Sequence, residues 1–189
     1  HPSKLDNPCK EYDFVFFAAG VTKKKGIEDA IQALGIVNKQ YPEVSLDVVG
    51  KCAPEYKSSL HEMMNKHGVT ENIVFHEYFP KQSDMHDHIQ KARYALLPVK
   101  LDSIPGTIAE AMMLDIPVIS YRTYGTPHLN KYGEAVLICD IDDVESLARN
   151  MMRILSDPDL SENMVHYSRK YIDLEMDNNT NVRNMARMF

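Results

Sequence analysis

No stretch of the 189-residue sequence approaches the roughly 18–20 consecutive apolar residues that a membrane-spanning helix requires. No charged and then apolar leader opens it either. Membrane association, if the protein has any, is expected to run through a part outside this stretch, and the expected location is cytoplasmic, including the inner face of a membrane. Cysteine is scarce. Cys9, Cys52 and Cys139 are far apart, odd in number and without paired metal-ligand spacing, which argues against a disulfide framework and points to a reducing compartment. Net positive charge is absent as well: a formal charge of -6 argues against nucleic acid as a partner, because binding a phosphate backbone demands a basic surface. The one concentrated basic cluster is Lys23, Lys24 and Lys25. There is no internal repeat, no low-complexity tract, no Walker loop, no G-x-G-x-x-G fingerprint and no G-x-S-x-G nucleophile context.

What remains is an ordinary globular composition, 44% hydrophobic and 25% charged, at a length that suits one domain. Residues 1–13 are polar, contain Pro2 and Pro8 and show no period, so a linker or the tail of an upstream domain is expected there. The domain proper is expected over 14–189, with 158–189 forming C-terminal helices. Phe14 to Ala19 is a continuous apolar run closed by Gly20, the pattern of a strand buried on both faces. Ile27, Ala30, Ile31, Leu34 and Val37 follow at helical spacing.

The unit then repeats along the chain. A strand over 44–50 precedes a helix marked by Tyr56, Leu60, Met63 and His67 and capped by Gly68. A short strand at 73–75 leads to a helix from an N-cap at Ser83 to Lys91. Strands over 94–98, 117–120 and 135–138 alternate with helices over 105–114 and from an Asp142 or Asp143 cap to Leu155. Helical periods continue over 160–171 and 180–189. Alternation of this kind implies an α/β fold, a Rossmann-like, doubly wound parallel sheet with helices on both faces, because parallel strands need long crossovers and helices supply them.

In such sheets ligands bind beyond the carboxyl ends of the strands, against helix N-termini. Three loops there carry suggestive chemistry. In the first, Lys23 and Lys24 suit a solvated turn, whereas Lys25, before Gly26 and a helix N-terminus, is a cation at the end of a helix that disfavours one unless an anion lies between them. In the second, Pro105 suits a first helical turn and Gly106 and Thr107 offer backbone N–H groups, a ready phosphate seat. Glu110 stands one turn further in, alone among Ala109, Ala111, Met113 and Leu114. It suits a pair of sugar hydroxyls or a structural cap on a neighbouring loop equally well. Asp102 suits a sugar contact or a turn. In the third loop, His76 to Pro80, aromatic Tyr78 and Phe79 suit a nucleobase or burial against the sheet, burial being the commoner role. His86 and His88, two apart on a helix, point in different directions and make a poor metal pair. The methionines sit mostly at core spacing and suit packing.

The segment Lys25 to Ile31, the strand ending Val48-Val49-Gly50, the run Ala92 to Pro98 and the stretch Asp102 to Ile119 together resemble the C-terminal domain of family 4 glycosyltransferases with the GT-B fold. The most specific part is the paired-acid motif E-x7-E, here Asp102 and Glu110. The resemblance implies a missing N-terminal domain that binds the acceptor and, in this chain, a site for a nucleoside diphosphate sugar. It places Lys25 on the diphosphate, the N–H groups of Gly106 and Thr107 on phosphate oxygens and Glu110 on the ribose hydroxyls. Asp102 falls on the donor sugar, Gly50 on the donor pocket and Tyr78 beside the base. It further implies transfer of a hexosyl group with retention to a glycan or lipid-linked acceptor, with Lys25, Asp102 and Glu110 as the catalytic set, no cofactor and no metal. Three positions depart from the family pattern: Gly20 stands where an arginine is usual, Asp102 where glutamate is usual, and Pro105 where glycine is common. The departures are compatible with a compensating residue elsewhere and with a weakened donor site. A non-catalytic sugar-binding module and a GT-B epimerase remain as alternatives, while a flavodoxin-like receiver lacks the acids it needs at the end of the first strand.

Overall fold

The computed structural model describes residues 10–101 and 106–176. The expectations for Asp102, Pro105 and the helix over 180–189 therefore lie outside the described residues. Among the described residues six strands form one sheet: β1 (Tyr12–Gly20), β2 (Leu46–Lys51), β3 (Ile73–His76), β4 (Ala92–Leu97), β5 (Val118–Tyr121) and β6 (Val136–Cys139). Every pairing is parallel and the order is β3-β2-β1-β4-β5-β6, so the strand order reverses between β1 and β4. Among the described residues six α-helices connect and cover them: α1 (Ile27–Asn38), α2 (Pro54–His67), α3 (Gln82–Ile89), α4 (Gly106–Met113), α5 (Val144–Ser156) and α6 (Pro158–Tyr171). Among the described residues no helix is long and apolar enough to cross a membrane.

The continuous apolar run of β1 has its cause in the two cores. Phe14 and Phe16 face one, with α1, α2 and α5, while Val15 and Phe17 face the other, with α3 and α4. Helix α6 contributes to both, through Leu160 and Met164 on one side and Tyr171 on the other. Met64, Met112, Met151 and Met164 are core residues, whereas Met113 is exposed. The caps follow local chemistry: Gly68 takes the left-handed conformation that ends α2, Asp143 accepts from the Ser146 N–H at the start of α5, and Asp157 does the same for Leu160 in α6.

Two of the boundaries that differ from expectation have a visible cause. Tyr12 and Asp13, assigned to the linker, belong to β1, because Tyr12 pairs with Ala92 and the Asp13 carboxylate accepts the Ser45 N–H at 3.1 Å. Ser83 lies inside α3, whose N-cap is Lys81 without a side-chain bond; the Ser83 hydroxyl donates to Asp84 instead. In α2 the fully buried methionine is Met64, with Met63 only packed against the core.

Cys52 and Cys139 are both free thiols. Burial, and after it the nearby Asp143 and Asp140 carboxylates, push the Cys139 thiol up from 9.0 to about 12. An unfolded chain releases that proton first, so this contribution to stability is whole below pH 9 and is lost as the pH rises toward 12. The urea midpoint is thus expected to fall across that window, and to fall less steeply in Cys139→Ala. Equal slopes for the two proteins would count against the assignment.

Candidate functional site

The reversal of strand order opens a crevice at the carboxyl ends of β1 and β4, where the loops after them part. Two glycines let the backbones close in there. Gly26 has φ 85°, and a Cβ on it would come 2.0 Å from the Pro98 carbonyl oxygen in the loop after β4. Gly50 has φ 145°, and its Cβ would come 2.1 Å from the Ala18 carbonyl oxygen on β1. The register of β1 on β2 breaks between Phe17 and Gly20 at that contact.

Lys23–Lys25 forms a single 3-10 turn, closed by the Lys25 N–H on the Thr22 carbonyl at 3.0 Å and the Gly26 N–H on Lys23 at 2.9 Å. The Lys100 N–H donates to the Lys24 carbonyl at 3.1 Å, which ties this turn to the loop after β4. Lys23 is exposed and pairs with Glu28 at 3.1 Å, as a solvated lysine should. Lys100 does not reach the crevice: its ammonium is taken by Asp29 at 2.9 Å and Asp142 at 2.6 Å, and the buried Tyr121 hydroxyl donates to the same Asp29 at 2.7 Å.

The crevice holds a cleft of ≈ 550 Å³ lined by Lys25, Gly50, Tyr78, Gly106, Thr107 and Glu110, together with residues 17–20, Val49, Phe79, Pro80, Gln82 and Met85. Six of the seven residues singled out from sequence thus share one cavity; the seventh, Asp102, lies outside the described residues. Among the described residues that line it, Lys25 is the one basic side chain. Gly106 and Thr107 open α4, where backbone N–H groups lack helical acceptors and carry the positive end of the helix dipole. Tyr78 is half exposed, with Lys51 Nζ 4.6 Å above its ring, so it is not buried against the sheet as the commoner role would have it. Phe79 is the partly buried one of the two, stacked beside His88 at 4.9 Å.

Glu110 has two neighbours that sequence reasoning missed. His86 Nε2 lies 2.6 Å from its Oε1, and Gln82 donates to the same oxygen at 2.9 Å. Among the described residues Oε2 has no hydrogen-bond partner, so the carboxylate is oriented by one oxygen and keeps acceptor capacity on the other. The available signal was the polar i, i+4 pair Gln82 and His86, which shares one face of α3. A second cavity, of ≈ 500 Å³, lies at the opposite ends of the strands beside Lys10, Arg93, Asp115 and Arg169. Its charges are largely consumed locally, Asp115 accepting two 2.7 Å bonds from Arg169.

Comparison with known proteins accords with this geometry. The model of the family described as glycosyl transferases group 1 matches residues 4–171. An N-acetyl-alpha-D-glucosaminyl L-malate synthase of Bacillus anthracis is 25% identical over 150 residues, which cover 79% of this chain and 38% of that protein. An uncharacterized glycosyltransferase of Haemophilus influenzae is 20% identical over 146 residues, 77% of this chain and 40% of that one. The chain therefore spans about two fifths of the length of these relatives. Among solved structures, the C-terminal domain of a group 1 glycosyl transferase from Francisella tularensis superposes with a TM-score of 0.77 at 16% identity, covering 88% of this chain and 87% of that one. HepE of Anabaena, solved in complex with UDP, gives 0.78 at 16% identity, covering 94% of this chain and 48% of that one.

Proposed function

The chain belongs to the family of glycosyl transferases group 1, and from that premise we propose that it is the donor-binding half of a retaining glycosyltransferase, the ≈ 550 Å³ cleft receiving a nucleoside diphosphate sugar. One observation carries the proposal: Lys25, Gly50, Tyr78, Gly106, Thr107 and Glu110, drawn from loops far apart in sequence, line a single cavity at the reversal of strand order.

The roles follow from position and charge. Lys25 and the N–H groups of Gly106 and Thr107 supply positive charge from both sides of the crevice, so a diphosphate fits between them. When the bond from the anomeric carbon to the diphosphate breaks, negative charge grows on the leaving oxygen and these groups are already in place to accept it. The acceptor hydroxyl then forms the new bond to the anomeric carbon and gives its proton to the departing diphosphate oxygen. Glu110, held by His86 and Gln82, accepts from ribose hydroxyls, and the exposed Tyr78 ring flanks the base. Asp102 is assigned to the donor sugar on the motif alone. Charge is balanced here by a lysine and a helix N-terminus, with no divalent metal on the diphosphate. The acceptor, a glycan or a lipid-linked saccharide, is assigned to a preceding domain, and the chain by itself is not expected to turn over.

Titration calorimetry with a panel of nucleoside diphosphates tests the donor role. One of them is expected to bind, and Glu110→Gln to weaken it about 10–100-fold, the range for hydrogen bonds to a charged group. In soaked crystals the ligand should lie across Lys25, Gly106 and Glu110. Density in the cavity beside Arg169, or no binding even by the complete protein, would sink the proposal.

A further inference from the structure

Asp47 is a carboxylate in the middle of a parallel sheet and is fully buried. Its neighbours Leu46 and Val48 face the core under α1 and α2, so by alternation Asp47 shares the other face with Val49, beneath α3. A carboxylate there must be neutralised or coordinated. Two imidazoles meet it, one from each flanking element: His76 Nδ1, at the end of β3, lies 2.6 Å from Oδ1, and His88 Nε2, on α3, lies 2.8 Å from Oδ2. The ligand-type atoms of all three residues lie within 4.8 Å of one another. None of the three lines the donor cleft.

Charge decides what this cluster suits. Two neutral rings leave a buried anion, and two protonated rings put like charges on ring centroids 4.4 Å apart. A divalent cation takes a lone pair from each neutral imidazole and from the carboxylate, and resolves both problems. We propose that Asp47, His76 and His88 form a binding site for a zinc-type divalent cation that fastens α3 to β2 and β3. The donor set sorts the metals: two nitrogens and one oxygen suit Zn²⁺ and its first-row neighbours, whereas Mg²⁺ and Ca²⁺ want oxygen alone. Zinc bonds of about 2.0–2.2 Å require the present contacts to open by roughly half an ångström, within reach of side-chain rotation.

Entry and purpose are both visible. His76 is one-third exposed, which opens the cluster to solvent, the source of the ion and of a water as fourth ligand. Helix α3 is eight residues long, has no side-chain cap at its start and buries only Ile89 completely, so an anchor at His88 matters to it. The site stands independently of the sugar-nucleotide proposal. A single imidazolium paired with Asp47 is the competing arrangement.

The test uses the full chain, stripped with a chelator and titrated with Zn²⁺ by calorimetry and with Co²⁺ by visible absorption. One ion per chain, a tetrahedral Co²⁺ band and a melting temperature that rises with Zn²⁺ concentration are expected. His88→Gln and Asp47→Asn should each weaken binding more than about 100-fold, beyond the 10–100-fold that loss of an outer-shell partner costs. His61→Ala, on the exposed face of α2, should bind as the wild type does. Circular dichroism in chelator checks that the variants fold, and if one does not, the other decides. A wild-type chain that takes no ion, or takes it without a tetrahedral spectrum, overturns the site, as does undiminished binding by a folded His88→Gln.

Discussion

Lys25→Ala in the complete protein is expected to lower turnover about 10²–10³-fold, the loss seen when one preorganised donor to a developing negative charge is removed. Two observations make the effect large. Among the described residues lining the cleft no second basic side chain can take over, and Gly20 occupies the position where the resemblance puts an arginine. Lys100, a basic residue in the loop after β4, is held by Asp29 and Asp142. Because charge on the leaving diphosphate grows toward the transition state, kcat should fall by a larger factor than KM rises. A nucleoside diphosphate release assay on the wild type and the variant measures both. If the variant instead turns over normally and only binds donor less well, Lys25 serves ground-state binding. If the wild type binds donor without any transfer, the non-catalytic module becomes the better account.

Gly26→Ala should be the most destabilising of the glycine replacements in left-handed turns, by about 2–5 kcal/mol, combining left-handed strain with overpacking. Gly68 supplies the comparison. It has a similar φ, 69° against 85°, but nothing lies within 4 Å of the Cβ it would carry. Gly68→Ala therefore pays only for the backbone conformation, about 1–2 kcal/mol. Urea unfolding of the two variants separates the terms, and the excess in Gly26→Ala measures the close approach to the Pro98 carbonyl. The same variant should lose nucleotide binding while still folded, because moving the loop after β4 pulls apart the turn that presents Lys25. Equal losses in the two variants would mean that the loop yields easily and that the approach matters little.

The sheet was legible because parallel strands buried on both faces leave continuous apolar runs: Phe14 to Ala19 could hardly be anything else. The location of the cleft was legible too, since loops at the carboxyl ends of such strands part wherever strand order reverses and leave a crevice between them. Residues that act through distant neighbours were harder to see. Gln82 and His86 matter through Glu110 on another helix, and their i, i+4 spacing on one face of α3 is all that marks them locally. Asp47 falls within the strand over 44–50 and carries no local mark of its role, because its partners come from β3 and α3 and their meeting depends on how those elements dock. Setting aside His86 and His88 as a pair was sound, as they turn to different carboxylates, yet His88 finds other company. Tyr12 was lost to the linker because its anchor is Ala92, far along the chain.

That last pairing bears on how the molecule is made. β1 is flanked by β2 on one side and β4 on the other, and residue 12 finds its partner only at residue 92. At about 5–20 residues per second the ribosome needs on the order of ten seconds to cover that distance. For that interval one edge of β1, with its apolar run from Phe14 to Ala19, lies open beside a half-built sheet. The nascent chain is thus at its most vulnerable to mispairing before Ala92–Leu97 emerges, and codons that slow synthesis between β3 and β4 should lower the yield of folded protein more than equal pauses after β5.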